Sequence, residues 1–320
     1  MGNFISSEDG VPLRNRKVKR YGCIPDISDQ RDIYTNINTE ILSSVDLRKT
    51  GNLSEVKNQG LLGSSSIHSL LSAYEYDLNT NHEKQTLNLS SNFLYYNQRI
   101  ISGTVYFDSG GSLRDSIKVL NNLGCCEAEL CPNNYLLFEI KPSEEAYKNA
   151  KELKKSFQYR KIIGQPDNIM KMLSINIPVL MGMTVYESFE SENVARTGFV
   201  TIPSINENIL GCISVLIVGY NLQKEMFIVR NNWGSEWGQE GYFWLPYSYL
   251  QKNCRDFWVL STKSKNRPES VKEPVHSPVR VSSHVNSQSP INTRKLDTPN
   301  FREELNDHDI SDEDDNETIL

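Results

Sequence analysis

Asn58-Gln59-Gly60-Leu61-Leu62-Gly63-Ser64-Ser65-Ser66 is the stretch on which the fold turns. It passes from a glycine-punctuated loop into Ser64 to Tyr76, where Ile67, Leu70, Leu71 and Tyr74 recur at helical spacing behind small hydroxyl residues that suit an N-cap. Outward, toward the C-terminus, the pattern changes. Val215 to Tyr220 and Met226 to Arg230 are short β-rich runs separated by the turn-like Asn221-Leu222-Gln223-Lys224. A helical first half followed by a strand-rich second half reads as α+β, with a cleft where the two halves meet.

Three segments carry a more specific signal: the opening stretch, Leu210-Gly211-Cys212-Ile213-Ser214-Val215-Leu216-Ile217-Val218-Gly219-Tyr220, and Val229-Arg230-Asn231-Asn232-Trp233-Gly234. They resemble the active-site segments of the papain-like cysteine peptidases. In that family a Gln-Gly-x-x-Gly-Ser-Cys stretch opens the central helix, a His-Ala-Val stretch starts a strand, and an Asn-x-Trp-Gly stretch follows. The resemblance implies that Ser65 stands at the nucleophile, Ile213 at the general base, Asn231 at the base-orienting amide and Gln59 at the oxyanion donor. It further implies that Gly110, Gly111 and Trp233 line the cleft, between a helical lobe and an antiparallel barrel-like lobe.

The likeness extends well beyond the site. Tyr21-Gly22-Cys23-Ile24-Pro25-Asp26-Ile27-Ser28-Asp29-Gln30-Arg31-Asp32 looks like the leading segment of a short-pro-region branch known from bacteria and large DNA viruses. Val45-Asp46-Leu47-Arg48 matches the start of its mature-like domain, and Leu62 stands where secreted relatives carry a disulfide cysteine. Ser90 to Arg99 resembles the second helix, and Gly110-Gly111-Ser112-Leu113-Arg114-Asp115 the cleft rim. Val185 to Phe189 and Trp233 to Phe243 continue the match, which ends near Asp256-Phe257-Trp258. The agreement runs from about residue 21 to about residue 262.

Two of the four implied roles lack the residue type that performs them. The family's nucleophile is a thiolate, kept ionised by the helix N-terminus and a neighbouring imidazolium. A serine hydroxyl needs a base to take its proton during attack, and isoleucine has no proton to give or take. Loss of both members of such a pair removes rate by orders of magnitude. The expectation is therefore a pseudopeptidase.

The five histidines are His68, His82, His276, His284 and His308, so none falls between His82 and His276. His68 lies three residues after Ser65 and is read as a helix residue beside the cleft, because an i, i+3 pair rarely gives a base the geometry it needs. Cys212, next to Ile213 on a strand, should face away from it and is read as a core cysteine. Two alternatives stay open. One is a hydrolase of altered chemistry with Ser65 as nucleophile; the other is a structural virion- or membrane-associated protein acting through its tail.

Composition divides the 320 residues into a 1–20 anchor, a 21–262 domain and a 263–320 tail. The tail alternates Ser, Pro, Asn, Lys and Val and ends with a run of Asp and Glu, so it reads as disordered. The formal net charge of -6 comes largely from it and argues against nucleic-acid binding. Three Ser-Pro or Thr-Pro dipeptides (Ser277, Ser289, Thr298) and the acid-flanked Ser311 are phosphorylation candidates beside a plain solvated reading. The six cysteines, among them adjacent Cys125 and Cys126, are expected to be reduced, with no metal site and no cofactor.

At the other end, Met1-Gly2-Asn3-Phe4-Ile5-Ser6 fits the N-myristoylation pattern at Gly2. A single acyl chain binds membranes marginally. Arg14, Arg16, Lys17, Lys19 and Arg20 would add roughly 1 kcal/mol each at an anionic leaflet. The expected setting is the cytoplasmic face of a membrane or a virion, and the expected partner is a protein or peptide held in the cleft.

Overall fold

The computed structural model describes residues 21–81 and 87–262; Gly2, the basic run up to Arg20, His82 and the acidic tail lie outside the described residues. In chain order the elements are β1 (Ser44–Asp46), α1 (Ser65–Asn81), α2 (Ser91–Ile101), α3 (Leu113–Leu123), α4 (Glu144–Leu153), β2 (Phe157–Lys161) and α5 (Pro166–Ser174). Then follow β3 (Val179–Tyr186), α6 (Glu192–Thr197), β4 (Ile209–Asn221), β5 (Met226–Arg230), β6 (Tyr242–Pro246), α7 (Tyr247–Asn253) and β7 (Cys254–Thr262). The architecture is α+β: a helical first half and an antiparallel sheet formed mainly from the second.

The sheet runs β2-β7-β3-β4-β5-β6, with β1 pairing with β4 off this path, and its strand pairs are antiparallel. Register shifts at Val185/Tyr186, Leu180/Gly182 and Ile217/Gly219 interrupt the ladder, and such irregularities bend and twist a sheet. The ladder is an open path that ends on β2 and β6.

Helix α1 is the spine between the halves. It packs on β4 and β7 on one side and on α2 and α3 on the other. This explains why Ile67, Leu70, Leu71, Tyr74 and Leu78 are all buried, together with the small serines between them. Each large apolar side chain so buried contributes about 1.5–3 kcal/mol relative to exposure. The following helices begin on side-chain caps. Ser90 accepts Phe93 N–H at 3.0 Å ahead of α2, and Ser112 accepts Asp115 N–H at 3.1 Å ahead of α3. The second cap directly follows Gly110-Gly111, so the start of α3 fixes the cleft rim.

Candidate functional site

The N-terminus of α1 meets β4 at one atom. Ser65 Oγ, fully buried, accepts Ser214 N–H at 3.1 Å and donates to the Tyr21 carbonyl at 2.6 Å. Ile213, also fully buried, immediately precedes Ser214 and pairs with Met183 on β3. Gln59 and Trp233 belong to the two chain segments that close this corner. Asn58 bridges Trp233 in antiparallel fashion, and Gln59 N–H donates to Asn232 O at 2.9 Å.

The side chains expected to assist are buried here and partly unsatisfied. Gln59 Nε2 donates to Leu62 O at 2.7 Å while its Oε1 has no hydrogen-bond partner. Asn231 Oδ1 accepts the Asn232 N–H at 2.9 Å, and its Nδ2 has no partner, nor does Trp233 Nε1. A buried amide donor left unpaired costs free energy comparable to a lost hydrogen bond. With isoleucine at position 213, that position offers the Asn231 amide no side-chain acceptor.

His68 is the histidine among the described residues, and it does not serve Ser65. Its Nδ1 donates to Ser64 O at 3.0 Å and lies 3.2 Å from Ser64 Oγ. Burial pushes its pKa down to about 4, with the Ser64 carbonyl opposing and Lys57 adding to the shift, so the ring is neutral near pH 7.

Three residues that the motifs did not single out hold the corner together. Asn232 Nδ2 donates to Ser214 O at 2.7 Å and to Ser69 Oγ at 3.2 Å, and Ser69 Oγ donates to Ser214 O at 2.7 Å. Ser69 lies one helical turn beyond Ser65, on the same face, and that spacing was the available signal.

The cleft is filled by the chain's own leading segment. Cys23 bridges Gly111 in parallel: Ile24 N–H donates to Gly111 O at 3.2 Å and Gly111 N–H to Gly22 O at 2.8 Å. Across the cleft, Cys23 N–H donates to Cys212 O at 3.0 Å. Glycine is required at the tightest point. A Cβ on Gly22 (φ 77°) would lie 1.7 Å from Gly63 O, and one on Gly110 (φ 75°) 2.5 Å from Gly22 O.

Tyr21 packs 6.3 Å, centroid to centroid, from Trp233, and its hydroxyl hydrogen-bonds Glu190. Burial, reinforced by that carboxylate, pushes the Tyr21 pKa well up. Trp233 in turn joins Phe189 and Trp237 in a cluster with edge-on contacts of 5.5 and 5.3 Å. Cys212, expected in the core, is instead half-buried, with its Sγ 2.6 Å from Cys23 Sγ. An extended strand places it on the face opposite Ile213, and that face is covered by the leading segment.

Farther along, the same segment is strapped to the body. Arg114 pairs with Asp32 through both of its terminal nitrogens and donates to Ile27 O at 3.0 Å. Asp26 accepts Trp258 Nε1–H at 2.7 Å and Arg114 N–H at 3.1 Å, while Lys161 Nζ stands 3.2 Å from Asp32. The Arg114 guanidinium and Lys161 ammonium hold the Asp32 carboxyl below the ordinary carboxylate range.

The family described as papain family cysteine protease matches residues 41–257. An uncharacterized peptidase C1-like protein of Acanthamoeba polyphaga mimivirus is 33% identical over 270 residues, covering 76% of this chain and 86% of that protein. A viral cathepsin of a Cydia pomonella granulosis virus is 28% identical over 203 residues, spanning 62% of this chain and 56% of the cathepsin. Among solved structures, xylellain, a cysteine protease from Xylella fastidiosa, superposes with a TM-score of 0.72 at 32% identity, covering 78% of this chain and 98% of that chain. Digestive procathepsin L 3 of Tenebrio molitor shares the fold at a TM-score of 0.59 and 20% identity, covering 78% of this chain and 79% of that chain.

Proposed function

Because this chain belongs to the papain family of cysteine proteases, we propose that it is a catalytically inactive member whose cleft binds a peptide or protein instead of cleaving one. The observation that supports this most directly is the state of Ser65. Its proton is directed at a backbone carbonyl, and the residue preceding its Ser214 partner on β4 is Ile213. Hydroxyl attack needs a base within about 3 Å of that proton. The neutral, buried imidazole of His68 is engaged with Ser64.

What the cleft retains suits binding. It has an aromatic surface at Trp233, against which Tyr21 packs, and a backbone edge at Gly111 able to exchange hydrogen bonds with an extended chain, as it does with residues 22 to 24. A partner strand on that edge would have to displace the leading segment. The tether that belongs to this reading is an acyl group on Gly2 assisted by Arg14, Arg16, Lys17, Lys19 and Arg20, which would hold the cleft at an anionic membrane.

The test is turnover of a broad peptide-substrate library, with labelling by a serine-directed phosphonate, on the parent and on Ser65→Ala. Equal silence of the two is the expected result. Labelling or turnover in the parent alone would overturn the proposal and return Ser65 to the role of nucleophile. Flotation of the full chain with anionic liposomes, compared with Gly2→Ala, tests the tether separately.

A further inference from the structure

The Cys23 and Cys212 sulfurs lie 2.6 Å apart. That is far inside the contact distance of two non-bonded sulfurs and close to the about 2.0 Å of a disulfide bond. Their backbones are already joined by the Cys23 N–H to Cys212 O hydrogen bond at 3.0 Å, which holds the two residues side by side. A solvent-open cavity of about 410 Å³ lies elsewhere, over Arg114 and Trp258; the one that concerns the thiols holds about 330 Å³ and is lined by Tyr21, Cys23, Asp108, Gly110 and Cys212. A small oxidant can therefore reach the pair.

We propose that Cys23 and Cys212 form a reversible disulfide that latches the leading segment across the cleft. Oxidation fastens Tyr21 to Ile24 over Ser65, and reduction frees them to yield to an incoming chain. The reaction is a thiol–disulfide exchange with a small disulfide of the glutathione class. One thiol, as thiolate, attacks the reagent and expels one reduced glutathione. The other attacks the resulting mixed disulfide and expels a second. Two protein thiols lose two protons and two electrons, and the reagent's S–S bond accepts both.

The covalent link spans two elements that otherwise share only non-covalent contacts, among them the Tyr21 ring against Gly211, so its effect falls on opening of the segment. Cys254, on β7, pairs with Met183, the neighbour of the Gly182 that Cys23 Sγ packs against, and is the competing partner that the test must separate.

The test equilibrates the full chain in oxidised and reduced glutathione and maps peptides by mass spectrometry without reduction. The expected result is a Cys23–Cys212 linked peptide and an intact mass lower by two hydrogens. Amide exchange at Tyr21 to Ile24 should slow at least about tenfold on oxidation. Cys23→Ser and Cys212→Ser should each abolish both effects, while Cys254→Ser leaves them in place. Should the parent, with its circular dichroism unchanged, form no link, form one through Cys254, or form the link without slowing exchange, the latch is wrong.

Discussion

Ser65 Oγ gives its proton to the Tyr21 carbonyl across 2.6 Å, so the hydroxyl at the start of α1 is hydrogen-bonded to the chain's own backbone. The bond ties the first residue of α1 to a residue 44 positions earlier, and the Ser214 N–H completes the coordination from β4. Three separate parts of the chain converge on one hydroxyl. A hydroxyl so placed stabilises the packing of the leading segment, and the net worth of such a bond is about 1 kcal/mol.

Replacing that hydroxyl tests what surrounds it. Ser65→Cys puts a thiol at the N-terminus of α1, where the helix dipole alone favours the thiolate. Adding Ile213→His places an imidazole beside Ser214, the backbone partner of residue 65. With iodoacetamide at pH 7, the new thiol in the double variant is expected to react at least about tenfold faster than in Ser65→Cys alone. Peptide mapping separates it from the six native cysteines. Equal rates would mean that residue 213 does not face residue 65.

The strap gives a second expectation. Arg114 is nearly buried and pairs with Asp32 while also donating to Ile27 O. Arg114→Met removes the charge but keeps much of the stem, leaving Asp32 with Lys161 as its remaining cation. We expect about 1.5–3 kcal/mol of destabilisation in urea titrations, on the scale of losing hydrogen bonds to a charged group, because Lys161 still faces Asp32. Exchange protection should be lost first between Cys23 and Thr35. A loss spread evenly over the sheet would contradict a local strap.

Much of this fold was legible from periodicity, and the exceptions have identifiable causes. The helix expected over 64–76 runs over Ser65–Asn81. Its extra turn is held partly by Asp77, which accepts the Thr262 N–H at 2.6 Å, a partner 185 residues away that no local pattern contains. The strand at Met226–Arg230 matches its β-rich run, whereas β4 begins at Ile209, because its exposed start, interrupted by Gly211, is held by pairing with β3. At the site, the motifs identify Gln59, Ser65, Ile213, Asn231 and Trp233, which the fold brings to the junction of α1 and β4. They do not place Tyr21 and Gly22 over Ser65. That segment has no strand periodicity, and its bonds are all to distant residues.

Acid should act through His68. Its folded pKa, near 4, lies below the ordinary value of 6.5, because the charged ring would be buried. The unfolded chain therefore binds this proton more readily. The contribution is fully present above pH 6.5, declines as the pH falls toward 4, and stays lost below that. The full span corresponds to about 3 kcal/mol. In thermal or urea melts between pH 7 and pH 4, His68→Gln should lose less stability on acidification than the parent does. Parallel curves for the two proteins would assign the acid sensitivity to other groups.

The glycines at the crossing give the most local test of the filled cleft. Gly110 has φ of 75° and would place a Cβ 2.5 to 2.8 Å from the Gly22 backbone. Gly110→Ala therefore costs left-handed strain of about 1–3 kcal/mol and also pushes against the leading segment. Gly103, likewise at positive φ (66°), has nothing within 4 Å of where a Cβ would stand, so Gly103→Ala carries the strain without the collision. By urea titration Gly110→Ala should lose at least as much global stability as Gly103→Ala. Gly110→Ala alone should expose the chain near Ile24 to limited proteolysis, because the segment's nearest escape is outward from the cleft. Equal cleavage in both would mean that residues 21 to 24 are held by the strap and not by the fit between Gly63 and Gly110.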